Sequence, residues 1–490
     1  MRNPESIPSP HPAPEKWLRF RSALDRIRPV FFAVAIGAVA GWQIYNPSKR
    51  VIEAVVGLVL MFLLWSYSTF SAFLLLIVIF PFPFGINLGH STFLFTIIIF
   101  IIYLVRVSAG LAKIHSAGPF NLPIALFSFA LLLSFYNFKP TPQATRYAYI
   151  VITNYFGSIL LFMLIVNLIT NEKRLRRTIH TMMITLSLII LFSILELLFP
   201  GRVLIPGWLA SRHEIRLVMK GIRLGGPFQD FELLAEYFAI NTPIIFYLFI
   251  RSRRLATRSL FAGLLLANLF MLFTTVTRGA FISLAVAAIY MAFICRRDLN
   301  FVRLISITAM IVLVMVTLEG FVARYTISGS LFDRLAHTTI EKGFVPDSRV
   351  LSWESGLQRA MRHPFIGNSP GWDFAKGLSS EMYPHNGYLF ILNIAGFFGL
   401  ISFLFIIYRL MRTSLMSVRE SLVDSPFTVG FMKILNVCLV IFTIDQIKIE
   451  YLRNDIYGYF IWLIFGLIAA SGIIIIKGKG AQAAAAPPSP

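Results

Sequence analysis

The apolar residues of this chain are gathered into long uninterrupted runs, several of them close to or above the roughly 20 residues that carry a helix across a bilayer. Hydrocarbon offers no water to backbone N–H and C=O groups, so a spanning segment must pair them within itself. Helices satisfy that condition segment by segment, and the body of the chain is therefore expected to be all-α. Composition agrees: the sequence is 57% hydrophobic and 14% charged, with mean hydropathy +0.75. A soluble domain carries roughly a quarter charged residues. Cytosolic and secreted globular classes are excluded, and the expectation is a polytopic integral membrane protein.

Apolar segments fall near 30–46, 51–67, 69–84, 91–106, 119–137, 148–169, 176–199, 231–250, 259–276, 279–295, 302–320, 385–408, 428–446 and 457–476, which predicts about 14 transmembrane helices. The connections at 170–177, 251–258, 296–303 and 409–419 are short and rich in Lys or Arg. The positive-inside rule places them in the cytoplasm. They agree with one another, because an even number of spans separates each pair. Both termini then lie inside, and residues 200–230 and 321–384 lie outside, on a periplasm-like face. Reading 51–84 as one long helix removes a span and puts the N-terminus outside. The basic segment Lys16, Arg19, Arg21, Arg26 and Arg28 argues against that, although Lys49 and Arg50 then sit on the wrong side.

The expected organisation follows. Residues 1–28, Pro-rich and then basic, read as a disordered cytoplasmic tail. Residues 29–199 carry N-terminal spans, and 200–320 carry further spans with a first external loop. Residues 321–384 form a long external loop, 385–477 the C-terminal spans, and 478–490 a low-complexity, disordered tail. The nearly 30 residues before the first apolar run, and the lack of a small-residue cleavage site after it, argue against a removable signal peptide. Cys295 and Cys438 sit in or at the edge of apolar segments and have neither disulfide-framework nor metal-ligand spacing.

Net charge is +21. In a soluble protein this would suggest nucleic-acid binding, but here many Lys and Arg residues set topology, and no nucleic-acid partner is expected. The external segments nevertheless break the charge rule. Residues 200–230 carry Arg202, Arg212, Arg216, Lys220 and Arg223, and the long loop carries Arg324, Arg334, Lys342, Arg349, Arg359, Arg362 and Lys376. Long loops cross regardless of charge, which is the bland explanation. An anionic ligand is the alternative, since arginine grips phosphate through a planar, bidentate fork.

Three motifs lie on that face. Ile222-Arg223-Leu224-Gly225-Gly226-Pro227-Phe228 precedes a span, and Thr275-Val276-Thr277-Arg278-Gly279-Ala280 lies at a helix junction. The third runs from Asp347-Ser348-Arg349 through Trp353 and His363-Pro364-Phe365-Ile366-Gly367 to His385-Asn386-Gly387-Tyr388-Leu389. The following helix continues with Ala395-Gly396-Phe397-Phe398-Gly399-Leu400. Over about 200–405 this succession resembles the O-antigen ligase and O-antigen polymerase superfamily of bacterial envelope enzymes. The earlier spans agree only in being hydrophobic.

The resemblance implies a GT-C-like glycosyltransferase architecture in the bacterial inner membrane, with its active site facing the periplasm. It implies transfer of a glycan from a polyprenyl (undecaprenyl) pyrophosphate carrier to a sugar hydroxyl, without a cofactor or metal. Such chemistry needs cationic groups for the pyrophosphate and one base for the hydroxyl. His385 matches the family's functional histidine and is the expected base; helix capping is its structural alternative. Arg223 and Arg349 match family arginines and, with Arg278, are the expected pyrophosphate clamps. An arginine at the edge of an apolar run is a functional hypothesis by default, against snorkelling for Arg278 and an intraloop salt bridge with Asp347 or Glu354 for Arg349. Asn386 is a secondary candidate. Trp353 shares a face with Arg349 if the segment is helical, where it lines a sugar subsite or simply packs.

Two stretches depart from the family pattern. Gln229-Asp230-Phe231-Glu232 stands where many relatives have Pro-Asn, and Gly367-Asn368-Ser369-Pro370-Gly371 replaces a more Gly-rich stretch. Asp230 and Glu232 invite a metal reading, but two carboxylates make a thin site; acceptor hydrogen bonding or helix N-terminal charge compensation suits them better. Donor glycolipid, a glycan or lipid A core acceptor, membrane lipid, and chain-length or export proteins are the expected partners. Polymerase and ligase share this motif order, and polymerase is preferred. A transporter is the alternative class; no inverted repeat is evident, but Glu196 and Asp445 near external span ends keep it open. A scaffold would not need the Arg–Arg–His succession.

The topology is checked with single cysteines in a background lacking Cys295 and Cys438. Ser211→Cys should react with an impermeant maleimide in intact cells, and Ala256→Cys only after permeabilisation.

Overall fold

The computed structural model of the chain describes residues 68–82, 91–199, 224–228, 230–295, 317, 320, 347–371, 384–419 and 426–485. Every extended element among these residues is helical. In chain order they are α1 (Thr69–Ile79), α2 (Ser91–Ser108), α3 (Asn121–Leu133), α4 (Pro142–Leu168), α5 (Glu172–Leu198), α6 (Phe231–Arg251), α7 (Leu255–Thr274), α8 (Arg278–Ile294), α9 (Asp347–Ala360), α10 (Gly387–Arg419), α11 (Pro426–Asp445) and α12 (Asp455–Ala485). Eight helices among the described residues are long and apolar enough to cross a membrane, and α1, α2 and α8 are shorter apolar helices. The chain is an all-α polytopic membrane protein. The expected spans 30–46 and 51–67, nearly all of 302–320, and the tail 1–28 lie outside the described residues.

The helices start where local chemistry lets them. Thr141 Oγ1 accepts from Ala144 N (3.1 Å) to cap α4, with Pro142 at its first position, where a missing N–H costs nothing. Asn171 Oδ1 accepts from Arg174 N (3.0 Å) to cap α5. Helix α1 starts after Ser68, whose Oγ accepts from Ser71 N (3.1 Å). Helix α12 continues to Ala485 and so enters the segment 478–490 expected to be disordered. Its run of alanines, the strongest helix formers, accounts for the difference.

The chain divides into two units, one of residues 1–72 and 98–114, the other of residues 73–97 and 115–490. In the first, the described residues are the start of α1 and the end of α2, where Tyr103 Oη donates to Lys113 O (2.7 Å). The second holds all the motifs. There α4 and α12 pack closely because a side chain at Gly466 would collide with Ile165, and one at Gly157 with Tyr459. Between membrane helices, small residues substitute for a hydrophobic driving force by letting backbones approach. Trp462, Tyr155, Phe162 and Phe127 fill the core beside this contact, Trp462 lying 5.8 Å from both Tyr155 and Phe162.

Within this unit the two ends differ in character. At one end, Glu172 and Arg176 of the basic connection 170–177 meet Thr428 and Phe427: Thr428 Oγ1 donates to Glu172 Oε2 (2.8 Å), and Arg176 lies 3.7 Å from the Phe427 ring centroid. Tyr247, just before the basic connection 251–258, donates to Phe427 O (2.8 Å). The motif segments gather at the opposite end. This is the segregation that the charge distribution predicts.

The motif pair Pro364–Gly367 and Ala395–Phe398 is explained by one backbone contact. At Gly396 (φ +66°, ψ −170°) the helical path of α10 breaks. Phe397 N donates to Pro364 O (2.7 Å) and Phe398 N to Phe365 O (3.2 Å), so the freed donors are satisfied by the incoming chain. Asn368 N donates back to Asn393 O (2.7 Å). Gly367 (φ +80°) lies so close to the Ile394–Gly396 backbone that no Cβ fits, and the same holds for Gly396 against Phe365 and Ile366. This contact fixes the end of the segment bearing α9 against α10.

Gly396→Ala combines a left-handed backbone with a steric overlap. It should destabilise the protein by more than about 2 kcal/mol, read as a lowered unfolding midpoint in detergent beside an unaffected Gly263→Ala control, whose added methyl meets no neighbouring atom.

Candidate functional site

Arg349 lies in the first turn of α9, and its Nη2 is 2.9 Å from Glu232 Oε1 of α6, a pairing across 117 residues of sequence. Both side chains keep partial exposure, 28% and 18%, so the pair stands at the edge of a solvent-accessible region. The bond runs to another helix instead of to Glu354 on the same one. Glu232 is itself held at the N-terminus of α6, where Asp230 is the cap: Asp230 Oδ1 accepts from Glu232 N (2.9 Å) and Leu233 N (3.2 Å). Asp230 and Glu232 thus answer the positive end of the α6 dipole and satisfy its first amides. Among the described residues, no set of three His, Cys, Asp or Glu side chains is arranged to hold a metal ion.

Arg278 is the first residue of α8, after Thr277, whose Oγ1 donates to Phe231 O (3.4 Å) at the start of α6. The starts of α8 and α9 are both tied to the first turn of α6, that of α8 through Thr277 to Phe231 O and that of α9 through Arg349 to Glu232. Before Thr277, Val276 takes φ +49°, a left-handed conformation that a β-branched residue adopts only where the surroundings impose it.

His385 has φ +43° and directly precedes α10. Capping falls to its neighbour: Asn386 Oδ1 accepts from Leu389 N (3.0 Å), and Asn386 Nδ2 donates to Ile447 O (2.9 Å). Gly387 N donates to Gln446 O (2.7 Å), an approach that leaves no room for a side chain. Within His-Asn-Gly, then, the asparagine and glycine hold the backbone. Helix α9 packs against this entry: Ser352 Oγ donates to Pro384 O (3.4 Å), and Asn393 Nδ2 donates to Gly356 O (2.7 Å). The helix that bears Arg349 is thereby tied to the backbone next to His385. Trp353 is half-buried on α9, its Nε1 buried without a hydrogen-bond partner among the described residues.

Arg223 lies outside the described residues. The segment after it is firmly placed. Gly226 N donates to Glu196 Oε2 (2.9 Å), with Gly226 at φ +53°, and Asn454 Nδ2 donates to Phe228 O (3.1 Å). Glu196 is therefore engaged in anchoring a loop.

Sequence reasoning singled out Asp445 at this end but missed its partners Lys448 and Glu236. Lys448 Nζ lies 2.9 Å from Asp445 Oδ1 and 3.8 Å from Glu236 Oε1, with both carboxylate side chains fully buried. Glu236 follows Glu232 by one helical turn, and Asp445 and Lys448 close an apolar run at helical spacing. Those spacings were the available signals. The transporter reading had rested on Glu196 and Asp445, and both have local partners here.

Two arginine-bearing helix starts thus converge on the first turn of α6, and the helix that bears Arg349 is tied to the backbone next to His385. Residues 261–404 match the family model described as O-antigen ligase. That segment contains Arg278, Arg349, Trp353, His385 and Asn386, and leaves out Arg223, Asp230, Glu232 and Lys448. No curated protein matches the chain. Taken with the all-α polytopic fold, the match supports assigning the chain to the O-antigen ligase and polymerase superfamily, whose chemistry is glycan transfer.

Proposed function

We propose that the chain is an inverting, metal-independent glycosyltransferase of the bacterial inner membrane. It moves an oligosaccharide from an undecaprenyl pyrophosphate donor to a sugar hydroxyl on the periplasmic face, polymerising O-antigen or exopolysaccharide repeat units. The observation that supports this reading is that the helix starts bearing Arg278 and Arg349 are both bonded to the first turn of α6, with the Arg349 helix packed against the backbone next to His385.

The chemistry asks for little more. The acceptor hydroxyl oxygen attacks the anomeric carbon from the face opposite the leaving group, which inverts the configuration. His385 takes the hydroxyl proton as the general base. The carbon–oxygen bond to phosphate breaks, and its electron pair leaves with the pyrophosphate. Arg278 and Arg349, joined by Arg223, bind that developing charge through charge-assisted hydrogen bonds. Glu232 holds Arg349 in position between turnovers. Trp353 stacks on or packs beside the sugar chain, and Asn386 fixes the histidine's backbone.

A second reading is favoured by the description of the matching family: transfer of a finished glycan to lipid A core, as a ligase. Purified protein in lipid, given synthetic polyprenyl-pyrophosphate oligosaccharide, separates the two. Glycan ladders formed without added core, seen by mass spectrometry beside free polyprenyl pyrophosphate, identify a polymerase; turnover only with lipid A core identifies a ligase. His385→Ala and Arg349→Ala should each lower turnover by about 100-fold or more. Turnover that survives both substitutions would sink the assignment of the site.

A further inference from the structure

The ion cluster beside the site asks for a role of its own. Glu236 comes from α6, Asp445 from the end of α11, and Lys448 from the turn that follows it. The hydroxyls of Ser283 (α8) and Tyr457 (α12) lie beside Asp445 and Glu236. Removing such groups from water is costly, and a buried ion pair often contributes no more stability than well-packed apolar side chains of the same volume. What ionic groups supply better than apolar ones is a defined position.

Lys448 stands where position matters. Its side chain lies over Gly279, where any Cβ would overlap Cδ, Cε and Nζ, and Gly279 directly follows Arg278. Its own turn is bonded to the entry of α10, through Asn386 Nδ2 to Ile447 O (2.9 Å) and Gly387 N to Gln446 O (2.7 Å), directly after His385. Its partner Glu236 lies one turn along α6 from Glu232, which holds Arg349. One ammonium group therefore touches the start of the Arg278 helix, anchors to the helix that holds Arg349, and sits in the turn bonded to the His385 segment.

We infer that Lys448, held between Asp445 and Glu236, is a positioning residue of the transfer site: it sets the separation between the arginine pair and His385. This rests on the glycan-transfer reading above. Lys448 acts through Gly279 and the Gln446–Ile447 backbone, and it need not touch the substrate. Misplacing reacting groups by about 1 Å is enough to cost on the order of 100-fold in rate.

Two variants test it. Gly279→Ala adds one methyl in the space of the lysine side chain and changes no charge. Glu236→Gln/Asp445→Asn/Lys448→Met removes all three charges with little change of volume. Each is assayed in lipid for kcat and donor KM, for equilibrium binding of undecaprenyl pyrophosphate, and for its unfolding midpoint. The expected result is a folded variant whose kcat/KM falls on the order of 10- to 100-fold, mostly in kcat, with undecaprenyl pyrophosphate still bound. Either variant, if folded, decides the matter. A folded variant with kcat/KM within about threefold of wild type overturns the inference, and so does unfolding of both, which would make the cluster purely structural. Wild-type protein that neither binds undecaprenyl pyrophosphate nor transfers glycan overturns the transfer reading itself, and this control tells the two failures apart.

Discussion

A backbone amide or carbonyl inside hydrocarbon must find its partner within the protein, and in this chain that requirement shapes both the helices and their interruptions. Where a helix runs unbroken, each residue serves a neighbour one turn away. Where it breaks, another segment must arrive to take the freed groups. Pro364 and Phe365 carbonyls serve Phe397 and Phe398 at the Gly396 break, Gln446 O serves Gly387 N, and Glu196 serves Gly226 N. Each of these repairs lies at the end of the molecule that holds the motifs. The short Gly-rich motifs are, in this light, mostly backbone joints, and the charged residues between them are what the joints hold in place.

Electrostatics reinforces the same arrangement. Arg349 is paired with the carboxylate of Glu232 at the edge of a solvent-accessible region. Lys448 with Asp445 and Glu236 forms a second, drier charge cluster one helical turn further from the Arg349 pair. The outer group is partly solvated and suited to exchange ligands; the inner one is buried and suited to stay put. Strained backbones at Val276 and His385 flank this region, as expected where a required geometry overrides local preference.

Much of the architecture was legible because burial in hydrocarbon leaves so direct a mark on sequence. The run 231–250 is helix Phe231–Arg251, and 279–295 is Arg278–Ile294. Boundaries slipped where caps reach into polar sequence: 148–169 begins earlier, at Pro142, because Thr141 and Pro142 start a helix before hydropathy rises. The His-Asn-Gly motif stands at the start of α10 and Thr-Arg-Gly at the start of α8. Glu232 was noticed as one of a carboxylate pair, but its partnership with Arg349 could not be foreseen. Lys448 carries no distinguishing mark in the sequence, since a lysine after an apolar run is an ordinary topological signal.

The sequence by itself determined that the chain is a helical, multi-pass membrane protein, which end carries the basic connections, and which short motifs gather opposite them. Those properties depend on the apolar content of each segment and on charges flanking it, both local along the chain. Tertiary structure alone decided that Arg349 answers Glu232 across 117 residues, that Lys448 is held by Asp445 and Glu236, and that Gly367 and Gly396 are a single backbone contact. Coulomb attraction and steric exclusion act over a few ångströms of space with no regard for sequence separation, so their partners become defined only when the helices are packed.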